Sequence, residues 1–148
     1  MYCRNVTLPF GTLHLVSDGE AITHLYTGPR PETDTCPVID RCISQLREYA
    51  RGDRRDFDIP VRPRGTAFQL RVWQALQTIP YGQTRTYGDI AKQLGKPGAA
   101  RAVGGACNKN GILLLIPCHR VIGANGALVG FGAGLELKQQ LLELEKDT

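Results

Sequence analysis

Long apolar runs are missing from this chain of 148 residues. No stretch approaches the roughly 20 apolar residues that a membrane helix requires, and no basic-then-apolar leader opens the chain. The expectation is a cytoplasmic protein with no membrane partner. Cysteine is present five times, an odd number without regular spacing, which argues against a disulfide framework and fits a reducing compartment. Aromatic residues at 7% and charged residues at 22% are ordinary for a globular chain. The length allows a real core, either as one domain or as two small lobes. The scarcity that says most is that of acids. Residues 1–60 hold 7 Lys+Arg against 9 Asp+Glu, a net of −2, while residues 61–148 hold 11 against 5, a net of +6. Between Val61 and Phe131 nine basic residues face a single acid, Asp89. A field of one sign repels itself and usually has a polyanionic partner, nucleic acid first among them. A merely solvated basic face is the alternative.

The pattern of what is present divides the chain near Arg62-Pro63-Arg64, giving lobes 1–62 and 63–148. Val6 to Val16 alternates, passes a turn at Ser17-Asp18-Gly19-Glu20 and resumes at Ala21 to Tyr26, as a hairpin or the first strands of a small sheet does. A helix then begins with Pro37 in its first turn, buries Ile39, Cys42, Ile43, Leu46, Tyr49 and Ala50, and ends at Gly52. Phe57, Ile59 and Val61 alternate as a short edge strand. Beyond the boundary the period changes to that of a helix. Thr66 with Gln69 forms a capping box ahead of the stripe Phe68, Val72, Ala75, Leu76 and Ile79, which Pro80 stops. Thr86 with Asp89 repeats the device before Ile90, Ala91 and Leu94. A turn at Lys96-Pro97-Gly98 leads into a second short helix from Ala99 to about Cys107, and the pair describes a helix-turn-helix.

That second helix is built almost wholly of small residues, with Arg101 its one long cation. Two readings stay open: tight packing against a neighbouring helix, or a smooth helix entering a nucleic-acid groove. Ile112 to Ile116 is a continuous apolar run that fits a strand buried on both faces, stopped by Pro117. Cys118 and His119 follow, the most nucleophilic side chain beside the one that titrates nearest neutrality. Locally, Cys118 reads equally as a buried small hydrophobe. A Gly-rich loop, Gly130 to Gly134, lacks the lysine pattern of a phosphate cradle. A last helix, Leu135 to about Lys146, is expected to bury Leu137, Leu141 and Leu144 or Leu142, with Glu145 reading locally as a solvated charge. Cys107 reads as a packed residue. Cys3, His14, His24 and Cys36 fit no zinc spacing, so no metal is expected.

Pro117-Cys118-His119-Arg120-Val121, preceded by Arg101-Ala102-Val103-Gly104 and Asn110 and followed by Gly130-Phe131 and Leu135 through Lys138, resembles the O6-alkylguanine-DNA alkyltransferases. The resemblance covers Gly65 to Glu145, including Thr66-Ala67-Phe68-Gln69, Val72-Trp73 and Ile79-Pro80-Tyr81-Gly82. The first sixty residues match in outline. It implies an α+β fold, with a small N-terminal α/β (ribonuclease H-like) lobe and a mainly helical C-terminal lobe that carries the helix-turn-helix. It implies a DNA-repair enzyme that moves an alkyl group from O6 of guanine, and from O4 of thymine, to its own cysteine once, without a cofactor. The partner it implies is double-stranded DNA holding the alkylated base, met by a monomer that flips the nucleotide through the minor groove.

Residue by residue, the resemblance makes Cys118 the acceptor, His119 a base acting through a water, and Glu145 the carboxylate that orients and charges the imidazole. Asn110 becomes the hinge and Tyr87 a proton donor toward guanine N3. Val121, Val129, Phe131 and Gly132 line the base pocket. Arg101 is a finger in the space of the flipped nucleotide, with Thr86, Tyr87, Ala102 and Gly104 along the DNA. Such a chain of groups is expected to raise the thiolate fraction of Cys118. Gly111 and Ala133 depart from the family's proline and glycine; the first is expected to loosen the approach to the active-site strand, the second to disfavour bulky substituents. Two rival readings remain: a lesion-recognition module of the alkyltransferase-like kind, against which Cys118 counts, and an ordinary cysteine hydrolase or helix-turn-helix regulator.

Overall fold

The computed structural model describes residues 1–126 and 134–146. The expectations placed on Val129, Phe131, Gly132 and Ala133 lie outside the described residues. The fold is α+β, and the chain divides into two compact units: a sheet unit, residues 1–63 with 111–115, and a helical unit, residues 64–110 with 116–148.

In the sheet unit, β1 (Tyr2–Leu8), β2 (Gly11–Ser17) and β3 (Ile22–Thr27) form an antiparallel sheet in that order. The expected run from Val6 to Val16 is in fact two strands, folded back at Pro9-Phe10, where Gly11 takes φ 134. The second turn forms where the sequence puts it, because Asp18 Oδ1 accepts from the amides of Glu20 at 2.9 Å and Ala21 at 3.0 Å, a local alternative to the sheet ladder. Helix α1 (Pro37–Ala50) has its proline at the first turn and turns Val38, Ile39, Cys42, Gln45, Leu46 and Tyr49 inward; Ile43 and Ala50 are half-buried rather than buried. With Leu13, Leu15, Ile22 and Leu25 these side chains form the unit's core, each large one worth about 1.5–3 kcal/mol on burial.

Two expected strands are absent. Around Phe57 to Val61 only Val61 makes a bridge, parallel to Ile22; the preceding residues are held instead by Gln45, whose Oε1 accepts from the Asp58 amide at 2.9 Å. Ile112 likewise makes one parallel bridge, to Leu25, after which the chain turns. Leu114 takes φ 68, and the Leu115 amide reaches the Leu113 carbonyl at 2.7 Å. This is a tight γ-turn in the left-handed region that a branched residue seldom enters. Ile112 to Ile116 is buried as expected, but as a turn.

The helical unit opens with α2 (Ala67–Leu76), whose capping box is complete: Thr66 Oγ1 accepts from the Gln69 amide and Gln69 Oε1 from the Thr66 amide. Gly65 is required there, since a Cβ would lie 2.6 Å from Gln69 Oε1 and 2.7 Å from the Trp73 ring. Val72, Trp73, Ala75, Leu76 and Ile79 are buried, Phe68 only partly. Trp73 escaped the predicted stripe; its Nε1 donates to the Ala106 carbonyl at 2.9 Å, which joins α2 to α4.

The two-residue strand β4 (Arg85–Thr86) leads into α3 (Tyr87–Gln93), again with both halves of the capping box. A turn through Gly95 (φ 75) then leads to α4 (Ala100–Asn108). β4 pairs in parallel with β5 (Val121–Ile122). Helix α5 (Leu135–Glu145) buries Lys138, Leu141 and Glu145, while Leu137, Leu142 and Leu144 are half-buried. Its inner stripe is therefore one step from the predicted one and carries two charges. No helix among the described residues is long and apolar enough to cross a membrane.

Candidate active site

Pro117 sets the position of Cys118. With φ −81 and ψ 64 it is the centre of an inverse γ-turn, and the Cys118 amide reaches back to the Ile116 carbonyl at 2.8 Å. Cys118–Arg120 then form a single 3₁₀ turn before β5 pairs with β4. That pairing fixes Tyr87 as well, since it is the residue that follows β4 and opens α3. Cys118 is 3% exposed and His119 1%.

Asn110 ends the stretch before the excursion of residues 111–115 into the sheet unit, and its side chain closes the neck of that excursion. Its Nδ2 donates to the Ile116 carbonyl at 2.9 Å and to Cys118 Sγ at 3.2 Å. Asn110, which the resemblance casts as a hinge, thus also touches the thiol. At Gly111 a Cβ would meet only His24 Cδ2, at an ordinary 3.7 Å. The glycine fills no tight space there.

His119 Nε2 lies 2.7 Å from Glu145 Oε2. Glu145 is 1% exposed, which overturns the local reading of a solvated charge at a helix end. Its carboxylate also accepts from Arg120, Nε to Oε1 at 2.7 Å and Nη2 to Oε2 at 3.1 Å. Burial pushes the Glu145 carboxyl up, but the hydrogen bonds and charges of His119 and Arg120 together outweigh it and hold the group down at about 2. Burial pulls the imidazole of His119 below 6.5, with Glu145 opposing and Arg120 and Lys138 reinforcing the shift. His119 Nδ1, the nitrogen turned from Glu145, is buried without a hydrogen-bond partner among the described residues.

Burial pushes the Cys118 thiol up to about 11, against the pull of the Asn110 amide and of Lys138. Among the described residues, burial thus outweighs the help that Asn110 and Lys138 give to the thiolate. Cys107 is buried, as expected of a packed residue, and is pushed up to about 12 by burial and by Cys118. Tyr87, half-buried, rises to about 12 through burial and then the two thiols, so at neutral pH it is a phenol with a proton to give.

Lys138 is a residue whose part sequence reasoning missed. It is fully buried and donates to the Val121 carbonyl. Its ammonium lies 5.9 Å from the centre of the Tyr87 ring. Burial lowers its pKa, with Cys118 and Cys107 opposing. The available signal was the alternative stripe Lys138, Leu141, Glu145, spaced three and four as a buried helix face is.

The comparisons with known proteins bear on this unit directly. The family described as "6-O-methylguanine DNA methyltransferase, DNA binding domain" matches residues 67–147. The methylated-DNA–protein-cysteine methyltransferase of Methanosarcina acetivorans is 56% identical over 98% of this chain and 98% of its own. That of Mycobacterium leprae is 47% identical over 99% and 93%. The crystal structure of Mycobacterium tuberculosis OGT in complex with DNA superposes with a TM-score of 0.92, at 46% identity over 99% and 93%. The chain belongs to the O6-alkylguanine-DNA alkyltransferase family.

In this alkyltransferase the residues expected along DNA lie at the end of β4 and on α3 and α4. Arg101 and Ala102 are exposed, and among the described residues Arg101 has neither an ion-pair nor a hydrogen-bond partner. Gly104 is half-buried; a Cβ there would sit 3.8 Å from the Tyr87 ring, so the small residue lets α4 approach the tyrosine. Thr86 spends its hydroxyl oxygen as the α3 cap, so the structure assigns it first to positioning Tyr87. Cys118, His119, Glu145, Asn110, Val121 and Tyr87 belong to one cluster, and Arg101 stands apart on the surface. His14 is engaged by Asn5 at 2.7 Å and His24 by Thr23 at 3.1 Å, and no cluster of three or more metal-binding side chains is found among the described residues.

Proposed function

We propose that this chain repairs duplex DNA by a direct, single-use transfer of an alkyl group, methyl in the simplest case, from O6 of guanine or O4 of thymine to Cys118. The observation that carries this reading is the buried chain of groups around the thiol: Asn110 on its sulfur, and His119 backed by Glu145 and Arg120. O6 is inaccessible in a stacked duplex, so the nucleotide is extruded, at a cost of a few kcal/mol that is smallest for a lesion that pairs badly. The helix-turn-helix lies in the minor groove. Arg101 fills the space left in the stack, Ala102 and Gly104 allow the close approach, and Thr86 and Tyr87 border the phosphates. Cys118 and Val121 border the base pocket.

The step balances without a cofactor. The sulfur forms a bond to the alkyl carbon as the bond from that carbon to O6 breaks, and the bonding pair stays on O6. The Cys118 proton passes through a water to His119, while Tyr87 supplies a proton toward N3 of the departing base. Burial pushes the thiol up, so its deprotonation belongs to the reaction and calls for a base. The product thioether is a very poor leaving group, and each molecule acts once, as a cytoplasmic monomer.

Incubation with an oligonucleotide containing O6-methylguanine is expected to add the mass of one methylene to the peptide bearing Cys118, stoichiometrically. Repeated turnover, or transfer by Cys118→Ala, would overturn the reading. The hydrolase alternative predicts turnover, and the recognition module predicts binding without any gain of mass.

A further inference from the structure

Glu145 is shared by two neighbours of different character. His119 Nε2 meets Oε2 at 2.7 Å, and Arg120 grips both oxygens through Nε at 2.7 Å and Nη2 at 3.1 Å. The remaining Arg120 nitrogen, Nη1, donates to the Ile79 carbonyl at 2.7 Å, and the guanidinium lies 5.8 Å from the centre of the Tyr81 ring. The Tyr81 hydroxyl donates to the Leu144 carbonyl at 3.2 Å, which steadies the end of α5 that bears Glu145. Side-chain exposures of 1% for His119, 8% for Arg120 and 2% for Glu145 put all three away from water.

A carboxylate within hydrogen-bond reach of a histidine ordinarily favours the imidazolium. In an imidazolium both ring nitrogens carry hydrogen, so neither can accept a proton. His119 would then be spent as a base before the substrate arrived. The guanidinium changes this balance. With a neutral imidazole the buried trio sums to zero charge; with an imidazolium it carries a net positive charge in a desolvated site, which is costly. Of the other groups facing His119, Lys138 on α5 opposes its protonation, and Cys118 beside it is a thiol at rest. Tyr87 on α3 and Cys107 on α4, both pushed up by burial and by Cys118, are a phenol and a thiol. Glu145 thus favours the imidazolium, and two cations oppose it.

We propose that Arg120 is a positioning residue for the transfer: by neutralising and clamping Glu145 it keeps His119 a neutral imidazole with Nε2–H directed at the carboxylate, leaving the Nδ1 lone pair to take the Cys118 proton. This rests on the reading that His119 is the base for Cys118. Glu145 orients the ring, and Arg120 prevents the same carboxylate from charging it too early. An ammonium cannot substitute fully, because the clamp uses three nitrogens in a fixed plane.

Nitrogen-15 NMR of the intact, DNA-free protein tests the resting state directly. The three histidines are assigned with His14→Gln and His24→Gln. At neutral pH His119 is expected as the Nε2–H tautomer, titrating below the ordinary histidine range; an imidazolium at neutral pH would overturn the proposal. No transfer enters this readout, so it stands apart from any failure of Cys118 to accept an alkyl group. The second arm is the pH profile of single-turnover transfer. In Arg120→Met the unopposed carboxylate should move the acid limb upward by about one pH unit, equivalent to about tenfold in the proton equilibrium, with the rate recovering in alkali. In Arg120→Lys the limb should stay near that of the parent while the maximal rate falls about tenfold. An Arg120→Met variant that loses the same factor at every pH would reduce Arg120 to mere support and sink the idea.

Discussion

Among the described residues, the buried polar or charged side chains of the sheet unit are His14, Ser17, Thr23 and Gln45, whereas those of the helical unit are His119, Arg120, Lys138 and Glu145. The first set can be satisfied as neutral groups: Ser17 Oγ donates to the Ala21 carbonyl at 2.7 Å, and Gln45 accepts from Asp58. The second set brings charge into a desolvated space, where an apolar core of equal volume is often at least as stable. A fold seeking stability alone has no need of it. The contrast sets the helical unit apart as the one that keeps buried charge, and it does so without reference to Cys118.

The contrast is sharpest when one partner is removed from each unit. Glu145→Ala leaves Arg120 buried without its counter-charge and should cost about 3–5 kcal/mol in urea denaturation. Gln45→Ala removes one hydrogen bond from the amide of Asp58, an exposed residue that water can serve, and should cost about 0.5–1.5 kcal/mol. Equal losses would erase the distinction between the units.

Acid provides the next largest effect. Glu145 sits at about 2 in the fold against an ordinary 4.5. Its stabilisation is therefore complete above 4.5 and is lost as pH falls toward 2. His119, lowered from 6.5, acts in the same direction earlier, because below 6.5 the unfolded chain binds a proton that the fold refuses. His14 in the sheet unit shares that early limb. The descent between 4.5 and 2 should flatten in Glu145→Gln and persist in His14→Gln, as read from denaturation midpoints against pH. A descent unchanged by Glu145→Gln would show that its carboxylate is not what acid titrates.

The smallest expected effect concerns Gly111 in the sheet unit. Its backbone lies outside the left-handed region and a Cβ there has ordinary room. Gly111→Ala should therefore raise stability by about 0.4–1 kcal/mol through the unfolded chain and leave the alkyl-transfer rate unchanged. A slower transfer would mean that the glycine contributes mobility at the hinge.

What was legible in the sequence was what local rules decide. Both capping boxes, the proline that opens α1 and the Asp18 turn formed as read, because each involves side chains and amides within a few residues. The apolar run before Cys118 was legible as buried but not as to shape. A strand and a buried turn share that composition, and what selects between them is the single Leu25 partner on β3, far away in sequence. Glu145 and Lys138 were illegible locally for the same reason. Their partners, His119, Arg120 and Val121, lie 17 to 26 residues earlier, and charges within an apolar stripe disguise the stripe. The resemblance supplied a role for Glu145, but neither the guanidinium on its other side nor the burial that raises the thiol.

The excursion of residues 111–115 also has a topological consequence. Those residues are counted with the sheet unit while the chain on either side, Asn110 and Ile116, belongs to the helical unit. No single cut through the polypeptide therefore separates the two. A fragment beginning at Arg64 would carry Ile112 and Leu113 away from Leu25, their partner on β3, and would leave Cys118 a few residues from an exposed apolar loop prone to self-association. Anyone shortening this molecule must decide what to do with those five residues first.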